Sequence, residues 1–213
     1  MAAPPEVTTK NLSGKWVMNK SLSDDVDAML ALQGLSWFTR KAISLATVVL
    51  TIKEYEKESF YHVDITSVAS GLSTTQEDRT IDWTERDHAD RIFGNVKGKS
   101  RWWKTGSFEK ITPGGEELAV FLRAEKLKDG KTDSKFLDDE HIQSWAKNVD
   151  SGGGWSAEQN WGFEEIDGKR YYTRRIVVEK GGKVQMARLV YNYTGKLDDK
   201  KEEDDQDLAY GEE

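Results

Sequence analysis

The chain has 213 residues and a formal net charge of −7, and that charge is concentrated at one end. Residues 198–213 hold nine acidic side chains against two lysines, so residues 1–197 are formally neutral. This distribution argues against a nucleic-acid partner, because binding to a phosphate backbone needs a clustered excess of Lys and Arg.

The composition also argues against a membrane span and a disulfide framework. The two longest stretches without charge, 28–39 and 65–76, have twelve residues each, fewer than the roughly 20 apolar residues of a spanning helix. The N-terminus has neither the basic start nor the apolar segment of a secretory signal. Cysteine is absent, which is typical of proteins in a reducing compartment. We therefore expect a cytoplasmic protein without stable membrane insertion.

A short strand followed by two helices is predicted at the start of the chain. Apolar side chains roughly alternate over 14–20, and the pattern changes at Ser21. Ser21 or Ser23 can cap a first helix, whose apolar residues recur at helical spacing until Gly34. A second short helix is predicted over 37–44, because side chains recur there three and four apart.

From residue 47 onward, β-branched and aromatic residues recur with a period of two between turn signals. Asp167-Gly168 and Gly181-Gly182 suit two-residue hairpins. A long antiparallel meander must expose an edge or close, and closure removes the edge. We therefore predict an all-β protein, an antiparallel meander closed into a barrel. About eleven strands are expected: 14–20, 47–54, 60–67, 73–83, 89–97, 100–107, 118–125, 141–148, 156–165, 170–180 and 183–193.

The length suits one domain of this kind. We expect a loose N-terminus over 1–10, a single β-barrel domain over 11–195 and a disordered acidic tail over 196–213. The segment 126–140, rich in Asp, Lys and Gly, is expected to be a long surface loop.

Two segments carry a resemblance to a known family. Gly14-Lys15-Trp16 opens the first strand, and residues 35–42 (LSWFTRKA) end the helix-turn-helix. Together they resemble the opening of cytosolic fatty-acid-binding proteins within the calycin group, and the match covers residues 11–53. The resemblance implies a calycin-like, lipocalin-like barrel that holds a hydrophobic small molecule beneath a helix-turn-helix lid. In overall character the chain also resembles fungal cofactor-free cyclases, including the hetero-Diels–Alderases of tropolonic sesquiterpenoid pathways.

Familiar catalytic motifs are missing from the sequence, including the nucleophile elbow, the Walker loop and the His-Glu-x-x-His helix. His62, His88 and His141 show no paired spacing, so we expect no metal site, and we expect no cofactor. The acidic runs 138–140 and 164–165 place neighbouring carboxylates on opposite strand faces, which predicts solvated charge rather than a two-carboxylate site.

One predicted strand has a distinct aromatic face. Trp155, Ala157, Gln159, Trp161 and Phe163 alternate with polar residues, so this face is expected to point into the barrel. The rings can line a ligand site or simply fill the core. A buried Gln159 needs a protein, water or ligand partner, since an unpaired buried amide costs roughly 1–3 kcal/mol.

The last two strands leave two orientations open. Arg174 and Arg188 either face an apolar interior, where each needs an anion or several acceptors, or face outward. The family implied by the resemblance grips a ligand carboxylate with Arg-x-Tyr on the last strand, whereas here Arg188 is followed by Tyr191 and Tyr193.

These observations define a candidate site and three hypotheses for the function. The candidate catalytic residues are Arg188, Tyr191 and Gln159. The candidate ligand-binding residues are Trp103, Trp145, Trp161, Phe163, Tyr172, Arg174 and Tyr193. The first hypothesis is a cofactor-free cyclase of hetero-Diels–Alder type in polyketide–terpenoid secondary metabolism. The second is a non-catalytic carrier of fatty acid or a similar lipophilic ligand, and the third is a purely structural β protein. The sequence leaves the oligomeric state open.

Overall fold

A computed structural model describes residues 1–70 and 72–197, so the predicted acidic tail lies outside the described residues from position 198 onward. The described part of the chain contains ten strands and three helices. In chain order they are β1 Gly14–Met18, α1 Asp27–Leu32, α2 Trp37–Leu45, β2 Val48–Lys57, β3 Phe60–Ala69, β4 Ser73–Thr80, β5 Arg86–Asp90, β6 Gly94–Lys104, α3 Glu116–Leu122, β7 Glu140–Asn148, β8 Ser156–Ile166, β9 Lys169–Lys180 and β10 Lys183–Gly195.

The strands form one antiparallel sheet that is nearly closed into a barrel. Its order is β4-β3-β2-β1-β10-β9-β8-β7-β6-β5, so β1 joins the two ends of the meander by pairing with both β2 and β10. The sheet ends, β4 and β5, approach each other without a strand ladder between them. Ile81 bridges to Ser100 of β6, and the Trp83 amide donates to the Ser100 carbonyl at 2.8 Å. The predicted barrel, with its two helices after the first strand, is confirmed.

Two hairpin turns follow directly from the sequence. Asp167 and Gly168 have φ values of 50° and 71°, and Gly181 and Gly182 have φ values of 58° and 80°. Positive φ at both central residues matches the twist of the flanking strands, and Gly adopts it without steric cost. These turns join β8 to β9 and β9 to β10 as predicted.

Three strand predictions were wrong. The apolar run 118–125 lies in and just after α3, because Leu118, Phe121 and Leu122 pack together against Val177 on the outer face of β9. Periodicity alone cannot separate a short apolar run in a helix from one in a strand. The predicted strands 89–97 and 100–107 also differ, because β6 runs without a break through Gly98.

The N-terminal segments are held more tightly than the sequence suggests. Instead of a loose start, Ala3 is buried and its amide donates to the Arg170 carbonyl at 2.7 Å. Ser23 does not cap α1, which begins at Asp27 without a side-chain cap. The Ser23 hydroxyl instead accepts from the Val190 amide at 2.9 Å, tying the lid connection to β10.

The main apolar core fills one end of the barrel around Trp16, which is fully buried. The Trp16 ring lies 5.1 Å from Tyr172 and 4.9 Å from Tyr193, measured between ring centroids. A second apolar cluster, with Met29 and Trp155, lies beneath α1. None of the described helices has the length and apolar character needed to cross a membrane.

Candidate functional site

A cavity of about 280 Å³ lies inside the barrel beneath the helices. The lid closes it with four apolar residues, Val26, Met29, Leu30 and Ile43. The strands and the turns between them add a largely apolar wall: Met18, Val48, Leu50, Phe93, Val96, Trp155, Ala157, Ile176, Val178 and Leu189. A cavity of this composition suits a hydrophobic small molecule.

Arg174 is the main charged group of the cavity wall, and it is only 5% exposed. Its Nε donates to the Tyr172 hydroxyl at 2.9 Å, and its guanidinium lies 4.2 Å from the centroid of the Trp161 ring. Its Nη2 is buried with no hydrogen-bond partner, and none of the ion pairs among the described residues includes Arg174. A buried cation with donors to spare is costly unless an acceptor is supplied, so this group is suited to receive a ligand oxygen.

Gln159 and Tyr191 line the same part of the cavity, on the strands that flank β9. The Gln159 Oε1 accepts from Trp161 Nε1 at 3.1 Å. Burial raises the pKa of Tyr191, so its hydroxyl keeps its proton. The hydroxyl makes no hydrogen bond to a described residue, so it can donate to a ligand. Gln159, Arg174 and Tyr191 together form what we call the donor cluster.

An ion pair on β4 faces the donor cluster. Glu77 and Arg79 both line the cavity, and Arg79 Nη2 lies 2.7 Å from Glu77 Oε2. Arg79 Nη1 also donates to Ser144 Oγ of β7 at 2.7 Å. Burial alone would raise the pKa of Glu77, but the charges of Arg79 and Arg174 outweigh it and hold that pKa below its ordinary value. The pair is therefore neutral overall, and Arg174 lies near it without an ion-pair partner of its own in the described part of the chain.

A second cavity of about 290 Å³ lies beside the first, where β4 and β5 separate. It shares Val96, Ala146 and three polar residues, Glu77, Arg79 and His88, with the main cavity, and most of its other lining residues are polar or charged, including Arg86 and Lys99. Side chains rather than a strand ladder therefore separate the two cavities.

The predicted site residues fall into three groups. Gln159, Arg174 and Tyr191 come together on the cavity wall. Trp161, Phe163, Tyr172 and Tyr193 also face the interior, but they lie in or against the core cluster around Trp16 and not in the cavity wall. Trp103, Trp145 and Arg188 are outside the cavity.

The outward position of Arg188 has a clear cause. Leu189 and Tyr191 of β10 line the cavity, so Arg188 lies on the opposite face of the strand. Its Nη1 donates to Glu164 Oε2 at 3.1 Å. Glu164 is only 1% exposed and also pairs with Arg175 at 2.8 Å, so the expectation of solvated charge at Glu164 was wrong. Residues 105–139 cover this face of the barrel and bury its charges.

The two outlying tryptophans belong to the same outer face or to its border. Trp103 packs against Phe108, Phe136 and His141, with ring centroids 4.3–6.2 Å apart. The Lys99 ammonium lies 5.6 Å from the Trp145 ring. Among the described residues, no group of three or more His, Cys, Asp or Glu side chains is arranged to hold a metal ion.

Glu77 and Arg79 were not identified from the sequence. Both lie on a strand, STTQEDRT, that is polar on both faces and therefore does not reveal which side points inward. The signal available was the spacing of Thr75, Glu77 and Arg79, which places an acid and a base on one face. Only the packing of β4 in the barrel shows that this face borders the cavity.

No protein-family model matches the chain. It is 32% identical over 198 residues to the pericyclase pydY of Acremonium sp, an alignment that covers 92% of this chain and 98% of that protein. It is 29% identical over 204 residues to the probable pericyclase scpY of Mollisia scopiformis, covering 94% and 98% of the two chains.

The fold is similar to those of solved lipid-binding barrels. Apo lipid binding protein 8 of Caenorhabditis elegans has a TM-score of 0.52 and 12% identity, covering 87% of this chain and 97% of that one. A fatty acid binding protein of Schistosoma mansoni in complex with arachidonic acid has a TM-score of 0.50 and 14% identity, covering 85% and 95%. At these identities the likeness concerns the fold alone.

Proposed function

The chain belongs to the family of the pericyclase pydY, and we propose that it catalyses a cofactor-free cyclisation of hetero-Diels–Alder type in secondary metabolism. Its substrate is a hydrophobic, polyunsaturated small molecule of polyketide–terpenoid character, bound in the cavity beneath the lid. Such a cyclisation forms two σ bonds at the expense of two π bonds in one cyclic transition state. It requires no nucleophile and no net proton transfer.

The observation that carries this proposal is the unpartnered Nη2 of Arg174, buried in the wall of a largely apolar cavity. A donor already held in place stabilises negative charge that develops on a substrate oxygen, without the cost of reorganising water. The Gln159 amide and the Tyr191 hydroxyl lie on the same wall and can assist.

The apolar wall has the other role. Trp155, Phe93 and the aliphatic residues around them restrict the conformers that a flexible polyene can adopt. Holding the two reacting ends together can lower a barrier by about 7–11 kcal/mol when the geometry is near that of attack. The lid helices cover part of the cavity with apolar side chains and so limit the contact of a bound substrate with water.

A turnover assay tests the proposal. Recombinant protein is incubated with a panel of hydrophobic polyketide–terpenoid precursors and, separately, with fatty acids, and products and bound ligand are measured. We expect catalytic conversion of at least one precursor. Stoichiometric binding of fatty acid without conversion of any precursor would instead identify a lipid carrier, which the lipid-binding fold also permits.

Two arginine variants locate the chemistry. Arg174→Met removes the charged donor, and we expect kcat to fall by about 10²–10³-fold. The melting temperature should be unchanged or higher, since a buried charge with few partners is replaced by an apolar side chain. Arg188→Met is the matched comparison on the outer face and should keep near-normal turnover. Loss of turnover in Arg188→Met but not in Arg174→Met would place the chemistry elsewhere.

A further inference from the structure

Trp161 contacts the donor cluster without lining the cavity. It is fully buried in the apolar core, and it is absent from the cavity wall. Its indole Nε1 donates to Gln159 Oε1 at 3.1 Å. Its ring face lies 4.2 Å from the Arg174 guanidinium, measured to the ring centroid. One indole therefore supports two of the three donors.

The hydrogen bond determines which end of the Gln159 amide faces the ligand. An indole N–H is a donor only, so it must be met by the amide oxygen. Gln159 makes no other hydrogen bond to a described side chain, which leaves its NH₂ group to the cavity. A flipped amide would bring the NH₂ group against the indole N–H and lose the side-chain hydrogen bond that Gln159 makes to a described residue.

The Arg174 guanidinium is oriented in a similar way from two sides. The Tyr172 hydroxyl accepts from Nε at 2.9 Å, and the guanidinium carbon lies 4.2 Å from the centroid of the Trp161 ring. These contacts leave Nη2 without a partner. The nearby Glu77 carboxylate forms its ion pair with Arg79. It is therefore not available to bind a cationic group of a ligand beside Arg174.

We propose that Trp161 is a positioning residue that sets the hydrogen-bond polarity of the cavity: it turns the Gln159 NH₂ and the Arg174 guanidinium toward the ligand. The ligand class that fits is a hydrophobic molecule bound through one or more acceptor oxygens that carry or develop negative charge, such as a carbonyl, an enolate or a carboxylate. Molecules that present a donor at this point are rejected. The role of this arrangement in catalysis rests on the proposed function, but the arrangement itself is tested by equilibrium binding.

The test compares two fluorescent probes with the same ring system. Anilinonaphthalene sulfonate carries an anionic acceptor group, and N-phenylnaphthylamine lacks it. Titration of the full chain with each probe gives two dissociation constants, and their ratio measures the preference for an acceptor anion. We expect the wild-type protein to bind the sulfonate roughly tenfold more tightly, as one charge-assisted hydrogen bond allows.

Trp161→Phe keeps an aromatic ring beneath Arg174 and removes the indole N–H together with part of the ring, so the neutral probe serves as the control for the lost volume. We expect it to weaken sulfonate binding about three- to tenfold and to leave the neutral probe unchanged. Gln159→Leu should have a similar effect. In the double variant the two changes should not add, because Trp161 acts through Gln159. Equal weakening of both probes, or additive losses in the double variant, would show that Trp161 only fills space and would overturn the proposal.

Gln159→Glu provides a second test that leaves the indole in place. The carboxylate can still accept from Trp161 Nε1, but it presents an acceptor and a negative charge to the cavity in place of the NH₂ group. Sulfonate binding should fall more than tenfold while the neutral probe binds as before. A preserved preference for the sulfonate would overturn the proposal. Absence of turnover in the precursor assay would leave these binding ratios intact, so the two proposals can fail separately.

Discussion

Arg174 and Arg175 are neighbours on β9, are both buried, and differ in their partners. The Arg175 guanidinium bonds to both oxygens of Glu164 and to three further oxygens on α3 and the loop after it. Arg174 bonds to the Tyr172 hydroxyl alone and keeps an unpartnered Nη2. Although both arginines are buried, Arg175 is fully paired and stabilises the fold, whereas Arg174 has donors left for a ligand.

Glu54 offers a prediction at the same scale, on the pH dependence of stability. Burial raises its pKa from 4.5 to about 7, although the Leu12 amide donates to its Oε2 at 2.7 Å. The folded state therefore favours the protonated form. Its contribution to stability is fully present below pH 4.5 and is lost as the pH rises through 7.

Glu54→Gln should remove the loss of stability that Glu54 causes as the pH rises. Relative to this variant, we expect the wild-type free energy of unfolding to fall by roughly 2–3 kcal/mol between pH 4.5 and pH 8. Urea denaturation of both proteins across this range measures the difference. The comparison at each pH cancels other groups such as His141, whose pKa burial lowers to about 4. Parallel pH profiles of the two proteins would contradict the prediction.

At the scale of elements, α3 and residues 123–139 are attached to the barrel by buried charges as well as by apolar contacts. Arg175 donates to the Phe121 carbonyl at 2.9 Å and to Ser134 Oγ at 2.7 Å, while it pairs with Glu164. The apolar residues of α3 pack on Val177 of the same strand. Removal of the guanidinium would leave several buried acceptors unpaired at once.

Arg175→Met should therefore destabilise the protein by about 3–5 kcal/mol. The effect should be local as well as global, so trypsin should cleave within 123–139 faster than in the wild type. The double variant Glu164→Leu with Arg175→Met removes the stranded carboxylate as well and should be less destabilised than Arg175→Met. Urea denaturation and limited proteolysis measure both effects. A double variant at least as unstable as the single one would contradict this account.

At the scale of the whole molecule, the barrel encloses an apolar space but leaves one seam between β4 and β5. The seam is bridged by Ile81 with Ser100 and by the bond from Arg79 to Ser144. A polar cavity of about 290 Å³ occupies the outer side of this seam. The molecule thus combines an apolar enclosure under the lid with a polar border at the side, and the donor cluster faces that border.

The acidic residues 198–213 carry the entire formal net charge, and we predict that they do not contribute to the site. Deletion of 198–213 leaves a chain of zero formal charge. We expect lower solubility near neutral pH, because a protein without net charge associates more readily. Binding of anilinonaphthalene sulfonate and turnover of precursors should be unchanged. A large loss of either in the truncated protein would assign these residues to the site.

Local pattern was enough to predict much of the architecture. Alternation with a period of two identified most strands, and the Asp-Gly and Gly-Gly pairs identified two hairpins, because both features depend only on neighbouring residues. The inward face of β8 was also predictable, since its rings and its polar side chains alternate along one strand. Gln159 and Tyr191, which the sequence analysis proposed as site residues, both line the cavity.

The remaining features depend on contacts between residues far apart in the sequence. The inward face of β9 and β10 could not be chosen, because β9 carries an arginine on each face and β10 has apolar side chains on both faces. The covering by residues 105–139 also makes the outer face as dry as the inner one. The same covering buries Glu164 with Arg175 and Arg188. The sequence by itself determined a lidded β-barrel with an aromatic interior. The tertiary structure alone decided that Arg174 rather than Arg188 meets the cavity, because only packing decides which buried charge already has its acceptors.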